Sequence, residues 1–137
     1  MSVEKYILTL TPDQARMVSN ACELYARLKL GQFENITERL MSMKDADFCQ
    51  RRDYANDILK VAAGIIFGNN EYSQPKIEKD PLFYRAWNIH ATLRYHIAWH
   101  EHPEGGWGTH FDKPYEWGGE PVPECRIEVD DEKKDSS

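Results

Sequence analysis

The chain has no CxxC pair, and its cysteines, Cys22, Cys49 and Cys125, number three. An odd count without metal-ligand spacing argues against a disulfide scaffold or a zinc ribbon and for reduced thiols in a cytosol, with at most one bridge. No apolar run approaches the ~20 residues that a membrane-spanning helix needs. The opening stretch MSVEKYILTLTP is too short and too polar in its apolar part for a signal peptide. No basic cluster exceeds Arg51-Arg52 in a chain of formal charge −6 and pI near 5.3. A nucleic-acid polymer is therefore not an expected partner, because neutralising phosphates takes clustered Lys and Arg. GxSxG is missing, no cysteine sits in a nucleophile context, and no cofactor motif occurs. These absences point to a soluble, intracellular binder and not to an enzyme.

What is present is concentrated in Asp80 to His102, DPLFYRAWNIHATLRYHIAWHEH. Asp-Pro suits an N-cap and a first helical residue, since proline lacks an N–H that has no intrahelical partner there. From Leu82 to Trp99 there is no Gly, Pro or carboxylate, and apolar or aromatic residues fall on almost every side of the helical wheel. The pattern predicts a central helix buried nearly all round. Within an acidic chain it carries Arg85, Arg94, His90, His96 and His100 and nothing negative, so it is the natural place for an anion.

Around it the sequence predicts a mainly α (α+β) fold of three to four helices in a single globular domain, residues 1–129. Residues 130–137 (DDEKKDSS) read as a solvated acidic tail. Lys5 to Leu10 (KYILTL) and Glu124 to Val129 (ECRIEV) alternate like strands and are expected to pair in a small two-stranded sheet that joins the chain ends. Thr11-Pro12-Asp13-Gln14 is a capping box. The first helix runs from it to about Leu30, with an apolar arc of Ala15, Val18, Ala21, Cys22, Leu24, Tyr25 and Leu28. Arg16, Asn20, Glu23 and Arg27 lie opposite, facing water or a partner. Gly31 ends that helix as a C′ residue, QFENITERL resumes a short second one, and RDYANDILKVAAGIIFG forms a third ending at Gly68. NNEYSQPKIEK is a polar surface connection. Beyond Pro103 a Gly- and Pro-rich, ring-bearing segment predicts irregular structure packed on the helices.

His96 and His100, four apart, have the spacing of two zinc ligands, but HIAWH lacks the glutamate of HExxH and no third ligand is specified, so no metal is expected. GGWGTHF has the glycines of a phosphate loop without its lysine and serine, and reads as turn chemistry, with Trp107 and Phe111 left available to cover a base. Arg85 and Arg94 are nine residues apart, hence on opposite sides of their helix at roughly 100° per residue. They do not serve one pocket in one monomer, which suggests a site between subunits. Arg27 reads equally as a pocket residue or as a surface ion pair with Glu23.

The segments ACELYARLKLGQFENI, RAWNIHATLRYHIAWHEHPEGG and THFDKP, about half of the chain, resemble in pattern small bacteriophage-encoded proteins. Among these are the Thoeris anti-defence sponges, which hold cyclic ADP-ribose isomers or cyclic oligonucleotides in a homo-oligomer without cleaving them. The resemblance implies a phage protein acting in the host cytoplasm. A nucleotide signal wants arginines for phosphate and rings for stacking. The expected ligand-binding residues are Arg27, Arg85, Trp87, Arg94, Tyr95, His96, Trp107 and Phe111. The competing expectation is a phage protein that inhibits or adapts a host protein by direct binding. A third is a metal-dependent hydrolase using His96 and His100.

Overall fold

Thr11 begins the first helix as the capping box requires. Its hydroxyl accepts from the Gln14 amide at 3.2 Å, and the Gln14 side chain accepts from the Thr11 amide at 2.9 Å. The computed structural model describes residues 4–68 and 80–129. Among them are helices α1 (Pro12–Lys29), α2 (Glu34–Leu40), α3 (Phe48–Phe67) and α4 (Pro81–Glu101), then two short 3-10 turns, Thr109–Phe111 and Trp117–Gly119. The acidic tail and the connection at 69–79 lie outside the described residues.

α1 closes in a Schellman turn. The Gln32 amide reaches the Arg27 carbonyl at 3.0 Å and the Gly31 amide reaches that of Leu28 at 2.9 Å. Gly31 takes the left-handed φ of 79° that this turn needs. α3 also stops at a left-handed glycine, Gly68, φ 71°, whose amide reaches back to the Gly64 and Ile65 carbonyls. α4 starts where Asp80 accepts from the Leu82 amide at 3.0 Å, with Pro81 at its first position.

The tertiary centre is the antiparallel seam of α1 and α4, the most extensive helix pair among the described residues. Ala26, fully buried, lets the helices approach, and Phe83 and Ala86 close over it with Cys22, Leu30, Tyr84 and Trp87 around them. The other side of α4 holds the Gly-rich segment. Asn88, also fully buried, donates to the carbonyls of Trp117 at 3.2 Å and Glu120 at 2.8 Å, while Arg85 forks onto the Glu120 carboxylate at 2.9 and 3.2 Å. Gly118 is required there: a Cβ would lie 2.2 Å from the Tyr84 ring, and its φ is 66°.

Two expectations are corrected. The two-stranded sheet is not formed among the described residues: Lys5–Leu10 and Glu124–Val129 are irregular, and the contact between them is an exposed Lys5–Glu124 ion pair at 3.5 Å. An isolated strand pair has no face to bury and is marginal in water. The inward face of α1 is rotated from the expected arc. Ser19 and Ala26 are buried, whereas Ala21 and Tyr25 are exposed and the polar row Arg16, Asn20, Glu23, Arg27 lies along α4. The expected burial of α4 holds from Ala86 to Ala98, where every position is buried or half-buried, and its exposed residues lie near the two ends. The largest uncovered apolar face belongs to α3, which touches α2 and no other described helix.

Candidate functional site

At the C-terminal half of α4 the seam widens into a cleft of about 440 Å³. α1 contributes Arg16, Ser19, Asn20 and Glu23, α4 contributes His90, Arg94, Ile97, Ala98 and Glu101, and His102 and His110 close one end. Its size falls in the range of small-molecule sites.

The floor is a buried polar network. His90 Nδ1 lies 3.1 Å from the Ser19 carbonyl and 2.9 Å from the Ser19 hydroxyl, while that hydroxyl donates to the His90 carbonyl at 3.3 Å. A carbonyl only accepts, which assigns the ring proton to Nδ1. His90 Nε2 lies 3.0 Å from Glu23 Oε2 without an aligned hydrogen bond, a contact that becomes attractive when the ring takes up a second proton. Glu23 also binds the Arg39 guanidinium and stands 3.8 Å from that of Arg27.

Burial works to raise the Glu23 carboxyl, but the Arg39 hydrogen bond and the charges of His90, Arg27 and Arg39 outweigh it and hold the group below its ordinary value. Burial, aided by Arg94 and Arg27 and opposed by Glu23, pushes the His90 imidazole below its ordinary value of 6.5, so the ring is neutral at pH 7.

Eight arginines lie among the described residues, and seven have a carboxylate in ion-pairing reach: Arg16, Arg27, Arg39, Arg51, Arg52, Arg85 and Arg126. Arg94 has none, and its buried Nε has no hydrogen-bond partner. Its guanidinium sits 5.9 Å from the Trp87 ring centroid, and that of Arg27 sits 5.8 Å from the same ring. Trp87 is braced by Phe83, nearly parallel at 6.4 Å, and by His90 at 5.2 Å.

Of the eight residues expected at a ligand site, Arg94 alone lines the cleft, and Arg27 and Trp87 stand beside it within the same chain. Arg85 is elsewhere, forked onto Glu120. Tyr95 stacks edge-on with His96 at 5.2 Å and with Trp99 at 6.5 Å. Phe111 packs on Trp99, His102 and His110, and its carbonyl accepts from the Trp99 indole at 3.0 Å. Trp107 is 98% exposed and lines no part of the cleft. Ser19, Glu23, Glu101, His102 and His110 were not among the expected ligand-binding residues. The available signal was the polar row of α1, whose spacing matches a helix face but does not say what that face meets. No group of three or more metal-ligating side chains forms among the described residues. No described helix is long and apolar enough to cross a membrane.

Comparison with known protein families, curated proteins and solved structures finds no match to this chain.

Proposed function

We propose that the protein binds a nucleotide-derived anionic signal, a cyclic ADP-ribose isomer or a cyclic oligonucleotide, and sequesters it unchanged, as a homo-oligomer in the cytoplasm of a phage-infected host. The observation that supports this reading is Arg94. A guanidinium that lines the cleft with no described carboxylate in ion-pairing reach is suited to a bidentate phosphate contact. Arg27 supplies a second cation over the same indole, and Trp87 supplies a flat face close to both. Charge balance agrees: Arg16 and Glu101 neutralise each other, Glu23 is occupied by Arg39 and Arg27, and Arg94 is left as the unmatched charge.

The same geometry supports binding without turnover. With the ring proton on the nitrogen facing Ser19, His90 is not placed to take the Ser19 proton, and that hydroxyl is engaged with a backbone carbonyl. A second reading, direct binding of a host protein, is favoured by the fully exposed Trp107.

The test is a thermal-shift screen against cyclic nucleotides and ADP-ribose derivatives. A ligand at 100 times its Kd stabilises the native state by ~2.7 kcal/mol, which reads as a rise in melting temperature. No shift with any of them transfers the reading to the protein-binding alternative.

A further inference from the structure

We infer that the outward face of α3 is the contact between two copies of this chain, packed antiparallel across a two-fold axis. This deepens the homo-oligomeric part of the proposal above and is independent of its ligand. α3 is apolar on two faces. One, with Phe48, Leu59 and Phe67 partly covered, turns to α2, where Phe33 meets Phe67 at 6.0 Å and Thr37 donates to Asn56 at 2.7 Å. The other carries Tyr54, Ile58, Val61 and Ile65, exposed by 71%, 54%, 64% and 76%.

The spacing of that second row is four, three, four, which is the seam of a helix pair and not the wider stripe of a helix lying on a globular core. No charged residue interrupts it from Tyr54 to Ile65, whereas Asp53, Asp57 and Lys60 lie to one side. A row of this kind fits an identical row run backwards: a two-fold axis between Ile58 and Val61 sets Tyr54 against the partner's Ile65 and Ile58 against the partner's Val61, each large side chain opposite a branched one.

Area also allows a second copy. The four side chains of the row, all more than half exposed, offer on the order of 500 Å² per chain, so a symmetric pair buries about 1,000 Å², the least that a specific interface needs. The cleft lies on the α1–α4 seam, which α3 does not touch, so pairing through α3 leaves both ligand sites open.

The experiment is light scattering on the full chain at micromolar concentration, beside the double variant Ile58→Glu, Ile65→Glu. The wild type is expected at twice the 16.0 kDa chain mass and the variant at the single mass with unchanged helical circular dichroism. Should the variant lose helicity, Val61→Cys in a Cys49→Ser background replaces it, and a short bis-maleimide is expected to join chain to chain through position 61 and to leave the Cys49→Ser protein itself, which keeps Cys22 and Cys125, uncrosslinked. A wild type that runs as one chain overturns the inference, as does a folded double variant that stays dimeric or a Val61→Cys protein that does not cross-link. Because neither variant touches the cleft, nucleotide thermal shifts on the same samples report on the ligand reading separately.

Discussion

Arg94 and Arg85 have the same chemistry on one helix, and their surroundings separate them. Glu120 satisfies Arg85 in two hydrogen bonds, whereas no described carboxylate approaches Arg94. Arg94→Glu is therefore expected to cost ~2 to 5 kcal/mol of binding, enough to abolish it at micromolar ligand, with the fold retained. Arg85→Gln is expected to loosen the Trp117–Glu120 turn and leave binding within a few-fold. Isothermal titration of both variants checks the pair. Glu23 plays a structural part, since its carboxylate serves His90, Arg27 and Arg39 together. Glu23→Gln leaves Arg27 and Arg39 without their carboxylate, and chemical denaturation should show a loss of ~1 to 3 kcal/mol.

At the scale of the element, what could be read from the sequence was whatever local chemistry decides. Thr11 to Gln14, Gly31, Gly68 and Asp80-Pro81 each bound a helix through hydrogen bonds spanning only a few residues, and each helix end stands where those residues place it. The face of α1 was not readable in the same way. Ser19 and Glu23 are drawn inward by His90, 71 and 67 positions away in the chain, and no periodicity encodes that partner. Alternation in KYILTL and ECRIEV likewise describes what a strand tolerates, but a strand also needs a sheet to join. Of the site, the basic and aromatic character of α4 was visible, and the pairing of Arg27 with Arg94 over Trp87 was not, because it depends on the α1–α4 crossing. Two substitutions test this division. Thr11→Ala is expected to cost ~1 kcal/mol through the lost cap. Gly118→Ala forces a side chain into a left-handed conformation against Tyr84 and is expected to cost about 1 to 3 kcal/mol in denaturant melts.

For the whole molecule, the α1–α4 seam is both the core and the site, so acid should weaken both. His90 in the folded chain titrates below its ordinary 6.5, so the unfolded chain takes up the proton first. Its contribution is fully present above about pH 6.5 and is lost as pH falls through the lowered value. Glu23, held below its ordinary 4.5, adds a second loss at more acidic pH. Melting temperature should accordingly hold steady from pH 8 to 7, decline as pH falls below 6.5 and fall again below 4.5, and Glu23→Gln should remove that second fall.

The central claim is that the cleft holds an anionic nucleotide and returns it unaltered. The most direct measurement is to incubate the protein with cyclic ADP-ribose isomers and cyclic oligonucleotides, remove free ligand, release the bound fraction by heat and weigh it by mass spectrometry. The expected result is one ligand recovered at its intact mass from the wild type and none from Arg94→Glu. Recovery of a hydrolysed product, or of no nucleotide from either protein, would contradict the account.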